Sequence, residues 1–273
     1  MTNRIDRTFA ALRERRQKAM IAFITAGHPT LTSTVRLAVA LEREGVDLLE
    51  IGVPFSDPLA DGPVIQASSL TALKNGVTVR RVLDMVGQAR RSGVRLPILL
   101  MSYANPILRY GIRRFAADAA RAGVDGVILP DVPPDEGGEI DRVLARRGLH
   151  TVYLLAPTSS GERERLVLRR SKGFVYYVSL TGVTGADAKD SSRVIESHVR
   201  RARRGSELPV CVGFGVSTPE AARRFCAYSD GVIVGSAIVR ELSRTGLSDA
   251  SAFARRVVRP FVRAVRSVKA GGD

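Results

Sequence analysis

The sequence predicts an α/β protein that folds as a (β/α)8 barrel (TIM barrel) with an extra N-terminal helix. Short apolar runs alternate with amphipathic segments along the whole chain. Each run is about 5–8 residues long, rich in Val, Ile and Leu, and apolar at consecutive positions, as in a parallel strand that is buried on both faces. Eight such runs, each followed by room for a helix, match a closed barrel in number and in length.

The first element is a charged amphipathic helix over residues 4–17. The eight strands are expected at residues 20–27, 47–54, 97–104, 125–132, 150–157, 173–180, 208–215 and 230–237. Between them, segments such as 32–45, 111–123 and 218–229 have the period of a helix. Several of the connecting segments end in a glycine, where a helix stop is expected: Gly45, Gly93, Gly123, Gly148 and Gly205.

The chain is expected to form one domain, residues 1–273, with residues 1–19 as the helix segment and residues 20–270 as the barrel. No linker, low-complexity tract or shift in composition divides it. The nearest alternative is an open doubly wound sheet. It is less favoured because no G-x-G-x-x-G motif follows the first strand, and because eight evenly spaced units suit closure.

The composition indicates a globular protein of 273 residues, of which 45% are hydrophobic and 25% charged. No apolar run approaches the ~20 residues needed to span a bilayer, and the first helix contains no apolar signal-peptide core. The two cysteines, Cys211 and Cys226, are too few for a disulfide framework and lack metal-type spacing. A cytoplasmic location is therefore expected.

The net charge of +15 is unusual, and 37 of the 42 basic residues are arginines. Such a balance can indicate nucleic-acid binding. The arginines, however, are spread over helical segments, and the one dense group at residues 200–204 has no interleaved aromatic residues for stacking on bases. Solvated helix faces explain this distribution at least as well. Nucleic-acid binding therefore remains a weaker alternative, and a positive field would also attract an anionic substrate.

Glu50 is a carboxylate inside an apolar strand, which is costly unless the group is paired or functional. If it faces the barrel interior, desolvation raises its pKa toward the range of a general acid or base. The alternative is a structural glutamate that pairs with an arginine or with backbone amides.

The loop at residues 54–63 contains three prolines, which stiffen it, and two carboxylates, Asp57 and Asp61. Both aspartates could simply form turns or helix N-caps. A pair formed by Glu50 and Asp61 would instead suit proton transfer around a carbon–carbon bond without metal or cofactor. No metal is indicated, because the three histidines are scattered: His28, His150 and His198.

An anion site is predicted at the opposite side of the barrel mouth. Gly213, Phe214 and Gly215 end the seventh strand, and Gly235 and Ser236 end the eighth. In this fold the loops after these strands commonly bind phosphate through main-chain amides and a helix N-terminus. Plain turn formation is the alternative. The glycine-flanked segment 181–185 has a composition suited to a mobile lid.

Residues 50–63, EIGVPFSDPLADGP, resemble the signature segment of the tryptophan synthase alpha chain family. The resemblance continues in order along the chain, at residues 23–29 (FITAGHP), 101–106 (MSYANP), 130–133 (PDVP), 179–185 (SLTGVTG) and the two glycine sites. It implies a lyase that cleaves indole-3-glycerol phosphate to indole and glyceraldehyde 3-phosphate by retro-aldol chemistry.

The resemblance also implies the residue roles. Glu50 would be the main acid/base, Asp61 would bind the indole N–H, and Tyr176 would position Glu50 or the substrate. Thr184 would close over the site and meet Asp61. The indole pocket would be lined by Phe23, Ile65 and Tyr103. The phosphate would be bound by Gly185, Phe214, Gly215, Gly235 and Ser236.

In this family the alpha chain pairs with a beta chain in an α2β2 heterotetramer, and the beta chain carries pyridoxal phosphate. No cofactor would then belong to this chain. The proline-rich loop, with Pro54 and Asp57, and a loop at Asn105–Pro106 would lie toward that partner. The basic surface keeps open the alternative of a freestanding lyase that releases indole. A second alternative is a weakly catalytic subunit that regulates a beta chain, although the presence of both carboxylates argues against it.

Overall fold

The computed structural model describes residues 3–179 and 188–269, which form a parallel sheet surrounded by helices. The strands are β1 (Ala19–Thr25), β2 (Leu48–Gly52), β3 (Ile98–Met101), β4 (Gly126–Ile128), β5 (His150–Val152), β6 (Leu154–Leu155), β7 (Val175–Val178), β8 (Val210–Gly213) and β9 (Gly231–Val234). They pair in the order β5-β4-β3-β2-β1-β9-β8-β7-β6. Since β5 and β6 are consecutive in the chain, the sheet curls into the predicted TIM barrel.

The predicted fifth strand, residues 150–157, is two short strands rather than one. Tyr153 lies between β5 and β6, and its carbonyl accepts from the amide of Tyr176 at 3.2 Å. The interruption therefore leaves the hydrogen bonding to the next strand in place. In residues 3–179 and 188–269, nine strand segments fill the eight strand positions of the barrel.

The helices are α1 (Arg4–Glu14), α2 (Ser33–Arg43), α3 (Pro63–Lys74), α4 (Val79–Arg91), α5 (Ala104–Tyr110), α6 (Ile112–Ala122), α7 (Gly138–Ala145), α8 (Gly161–Arg170), α9 (Ala188–Arg204), α10 (Pro219–Cys226), α11 (Ser236–Thr245), α12 (Ala250–Val257) and α13 (Arg259–Arg266). The extra N-terminal helix is confirmed, although α1 ends before residue 17. Arg16 has a φ of 53°, a left-handed conformation that ends the helix. Among the described residues, no helix is long and apolar enough to cross a membrane.

The expectation of a loop at Asn105–Pro106 is wrong, because both residues lie in the first turn of α5. Proline is tolerated there, since its missing N–H would have no partner within the helix. Asp131 accepts from the amide of Ala104 through both carboxylate oxygens at 3.0 Å. A side chain 27 residues away in sequence therefore holds the start of this helix.

Alternate strand residues divide the core into two layers. In β2, Leu49 and Ile51 pack outward against the helices, whereas Leu48 packs inside the barrel. Glu50 has the same parity as Leu48 and pairs in register with Phe23 on one side and Leu99 on the other. The sheet geometry therefore directs Glu50 to the interior.

Helix α1 closes the amino-terminal end of the barrel. Its apolar face, Ile5, Phe9 and Leu12, belongs to the same cluster as the interior strand residues. The rings of Phe9 and Phe174 lie 5.7 Å apart. The interior is consequently filled from this end, and space for a ligand remains at the carboxyl ends of the strands.

Part of the arginine content stabilises the amino ends of the strands. Asp47 accepts from the amide of Met20 at 2.7 Å and pairs with Arg266 at 2.6 Å. Asp125 repeats the pattern, accepting from an amide of β3 at 2.8 Å and pairing with Arg90 at 2.7 Å. Each carboxylate thus satisfies a strand-end donor while a guanidinium balances its charge.

Candidate active site

A cavity of about 410 Å³ opens at the carboxyl ends of the strands, where barrel enzymes place their chemistry. Its wall combines apolar side chains with two carboxyl groups and three glycines. It is lined by Phe23, Glu50, Asp61, Gly62, Pro63, Val64, Ile65, Met101, Tyr176, Ser179, Phe214, Gly215, Val216, Ile233, Gly235, Ser236 and Arg240.

Glu50 lies at the bottom of this cavity and is 1% exposed. Within the described part of the chain, neither of its carboxylate oxygens has a hydrogen-bond partner. The described residues therefore do not support the alternative of a structural glutamate that pairs with an arginine or with backbone amides. Burial, followed by the negative charge of Asp61, raises the pKa of Glu50 to about 8. At neutral pH the side chain is mostly a neutral acid.

Asp61 lines the same cavity from the loop that joins β2 to α3. It does not cap that helix, because the N-cap residue is Gly62, so the N-cap alternative is wrong for this residue. Burial raises the pKa of Asp61 to about 6, although a hydrogen bond from Tyr103 acts in the opposite direction. Asp61 is therefore mostly ionised at neutral pH. Asp57 is exposed and lies outside the lining.

Tyr176 lies on β7 and lines the cavity beside the two carboxylates. Burial, and then the charges of Glu50 and Asp61, raise the pKa of its phenol well above the usual value, so it remains a hydrogen-bond donor. Gly213 makes room for the ring, since a Cβ there would lie 2.5 Å from Tyr176 Cε1. The Phe214 ring packs edge-on at 5.8 Å.

Phe23 and Ile65, both predicted for the indole pocket, line the cavity. Gly52 is required beside Phe23, because a Cβ at this position would lie 2.6 Å from Phe23 Cζ. Tyr103 is not among the lining residues. Its hydroxyl accepts from the amide of Ala60 at 2.9 Å, so its clearest contact is with the loop that carries Asp61.

The predicted phosphate loop after β8 has an unusual backbone. Phe214 has a φ of 59° and Gly215 a φ of 101°. A left-handed phenylalanine is rare and costs free energy, so its surroundings must hold it in place. Ser179, which sequence reasoning missed, provides such a contact, since its hydroxyl donates to the carbonyls of Gly213 (3.0 Å) and Phe214.

The second predicted phosphate segment is the N-terminus of α11. The first main-chain bond of this helix runs from the amide of Val239 to the carbonyl of Gly235 at 3.0 Å. Among the described residues, no side chain caps the helix. Within the described residues, the amides of Ser236, Ala237 and Ile238 therefore lack acceptors, and they are available to an anion together with the helix dipole.

Of the remaining predicted residues, Thr184 and Gly185 lie outside the described residues. Arg240, which was not predicted, lines the cavity one helical turn after Ser236. Its position four residues after Ser236, on the same face of the helix, is the sequence feature that could have identified it as a site residue. In the described parts of the chain, no group of three His, Cys, Asp or Glu side chains could hold a metal ion.

The chain is similar to known proteins over almost its whole length. The family model described as "Tryptophan synthase alpha chain" matches residues 9–266. A relative of that name from Geobacter sulfurreducens is 49% identical over 264 residues, covering 97% of this chain and 98% of the relative. One from Geotalea daltonii is 50% identical over 241 residues, covering 88% and 90%. The crystal structure of tryptophan synthase subunit alpha from Legionella pneumophila superposes with a TM-score of 0.91 at 37% identity, covering 98% of this chain and all of that one.

Proposed function

Because the chain belongs to the tryptophan synthase alpha chain family, we propose that this cavity cleaves indole-3-glycerol phosphate to indole and glyceraldehyde 3-phosphate. The observation that best supports this function is a single cavity, which is lined by a neutral Glu50, an ionised Asp61 and the start of α11. Within the described residues, the first amides of α11 have no acceptor. These groups match the three demands of the substrate, namely proton transfer at carbon, a partner for the indole nitrogen and a phosphate site.

Glu50 transfers both protons in this scheme. Its acid form donates to C3 of the indole ring. The carboxylate that results accepts the proton of the glycerol hydroxyl beside the ring, while the bond between C3 and the glycerol carbon breaks. The electron pair of that bond returns to the ring, and the carbinol becomes the aldehyde. Glu50 regains its proton, so no external acid or base is consumed.

Asp61 stabilises the intermediate electrostatically. When C3 is protonated, positive charge develops on the indole nitrogen. A hydrogen bond from the N–H to an ionised carboxylate is strongest at that moment, inside a cavity that is lined mostly by apolar side chains. Its lower pKa, about 6 against about 8 for Glu50, keeps the two roles separate near pH 7. Tyr176 positions Glu50 or the substrate as a neutral donor.

The flat ring lies against Phe23 and Ile65, and the phosphate lies at Phe214, Gly215, Gly235 and Ser236. Tyr103 completes the indole end by holding the Asp61 loop. Gly185 is assigned to the phosphate site, and Thr184 to closure over the substrate.

A beta chain is the proposed partner, in an α2β2 heterotetramer, and pyridoxal phosphate would belong to the beta chain. The carboxyl side of the barrel offers exposed apolar residues for such a contact. Leu59, in the loop that carries Asp61, is 95% exposed, and Leu108, on α5, is 57% exposed. Apolar side chains that are exposed on one face of a protein can form part of a protein interface. The two thiols, Cys211 and Cys226, are free and buried, which supports a cytoplasmic location.

The deciding experiment measures indole released from indole-3-glycerol phosphate by the purified chain, alone and with a tryptophan synthase beta chain. We expect measurable cleavage alone and a large increase on mixing. Fast turnover that a beta chain leaves unchanged would support the freestanding lyase. Activation of the beta chain without any cleavage would support the regulatory subunit, and no effect in either assay would overturn the proposal.

The interface is tested by Leu59→Asp, with Val194→Asp as the control. Val194 is also exposed, at 49%, but lies on α9. Leu59→Asp should keep the cleavage rate of the isolated chain and lose most of the activation by the beta chain. Equal activation of both variants would exclude this surface as the interface.

A further inference from the structure

Arg240 lies at the mouth of the cavity, and none of its contacts within the described residues gives it a structural role in the fold. It is exposed, and it lines the same cavity as Glu50, Asp61 and Ser236. Among the described residues it forms no ion pair or side-chain hydrogen bond. The adjacent carboxylate, Glu241, is already engaged by Arg244 at 2.6 Å and by Arg256 at 3.7 Å. The guanidinium of Arg240 is therefore free to bind a ligand.

Helix geometry directs this side chain toward the predicted phosphate position. Arg240 follows Ser236 by four residues on α11, so both lie on one face of the helix. Side chains of a helix also lean toward its N-terminus. A long arginine at this position consequently extends over the first turn, where the amides of Ser236, Ala237 and Ile238 lack acceptors within the described chain.

The charges in the cavity favour a cation at this end. Near neutral pH its described lining includes one ionised carboxylate, Asp61, beside the neutral Glu50, and Arg240 is the one Lys, Arg or His side chain among those lining residues. A phosphate monoester adds between one and two negative charges near neutral pH, since its second pKa is about 6. Main-chain amides supply only partial positive charge. A guanidinium at the mouth would offset the remaining negative charge of the phosphate and shield the carboxylate of Asp61 from it.

We propose that Arg240 is a phosphate-binding residue of this site, which clamps the phosphate of the substrate and of the aldehyde product against the N-terminus of α11. The inference rests on the proposed function for the identity of the substrate. The binding of phosphate by Arg240 at this helix can be measured without turnover of the substrate.

The test compares Arg240→Ala and Arg240→Lys with the control Arg244→Ala, which removes the same charge from the same helix but not from the cavity. The dissociation constant of inorganic phosphate is measured by calorimetry on the purified chain, and kcat and KM are measured with indole-3-glycerol phosphate. For Arg240→Ala we expect a roughly tenfold weaker affinity for phosphate and a similar rise in KM, as for loss of a charge-assisted hydrogen bond. We expect kcat to change much less, because the reacting carbon is distant from the phosphate.

Arg240→Lys should recover most of the affinity, whereas Arg244→Ala should behave as the unmodified chain. If Arg240→Ala does not fold, Arg240→Gln serves in the same measurements. Unchanged phosphate affinity and KM in a variant that still cleaves the substrate would overturn the inference and leave the proposed function standing. A wild-type chain that binds phosphate through Arg240 but cleaves no substrate would instead overturn the proposed function.

Discussion

Replacing Glu50 with glutamine should stabilise the protein and, at the same time, remove its proposed acid/base. The glutamine side chain has nearly the shape of a neutral glutamic acid, but it cannot ionise. In the unfolded chain Glu50 ionises near its ordinary pKa of 4.5, whereas in the folded chain its pKa is raised to about 8. Between these two values the unfolded state releases a proton that the folded state keeps, so rising pH favours unfolding.

The size of the effect follows from the difference between the two pKa values. Each pKa unit corresponds to about 1.4 kcal/mol, so the cost of Glu50 is close to zero below pH 4.5, about 3 kcal/mol at pH 7 and about 4 kcal/mol at pH 8. Above pH 8 the cost levels off, because Glu50 then ionises in the folded state too. Solvent does not weaken this effect, since the side chain is 1% exposed.

The assay is urea unfolding of the wild type and Glu50→Gln at pH 4.5, 6, 7 and 8. We expect the free energies of unfolding to be nearly equal at pH 4.5, and the variant to become progressively more stable toward pH 8. A constant difference across this range, or a variant less stable than the wild type at pH 8, would refute the raised pKa of Glu50.

Three further predictions concern the same site. In the wild type, kcat/KM should fall below pH 6, because Asp61 must be ionised, and above pH 8, because Glu50 must be protonated; a flat profile from pH 5 to 9 would exclude these assignments. Asp61→Asn should slow cleavage and move the alkaline limb to lower pH, because the charge that helps to raise the pKa of Glu50 is gone; an unmoved limb would show that the two carboxylates do not interact. Gly213→Ala should lower the free energy of unfolding by about 1–3 kcal/mol, because the new methyl group overlaps the Tyr176 ring. Gly161→Ala is its control, since a Cβ there meets nothing within 4 Å, and equal stability of the two variants would contradict the close fit.

Most of the fold could be predicted because buried parallel strands are apolar on both faces. That pattern located every strand of the barrel, but it could not show the interruption at Tyr153, since the residues on both sides of it, Val152 and Leu154, are equally apolar. The start of α5 was also hidden. Local sequence around Pro106 indicates a break, whereas the carboxylate of Asp131, which is distant in sequence, fixes the start of the helix.

Only part of the candidate site could be predicted from the sequence, for a similar reason. Glu50 stands out because a charge in an apolar strand needs an explanation. Asp61 could equally have been an N-cap, and only the structure assigns that place to Gly62. Ser179 and Arg240 are ordinary residue types at ordinary positions. Their contacts with the phosphate loop and the cavity depend on how distant strands and helices meet.

Glu50 is the residue to which we assign both proton transfers of the carbon–carbon cleavage. The most direct measurement is single-turnover release of indole from indole-3-glycerol phosphate at pH 7 by the wild type and by Glu50→Gln. We predict a rate at least ~10²-fold lower in the variant, a typical contribution of general acid–base catalysis, with substrate affinity largely kept. Near-normal release of indole by a folded Glu50→Gln chain would show that Glu50 does not transfer these protons.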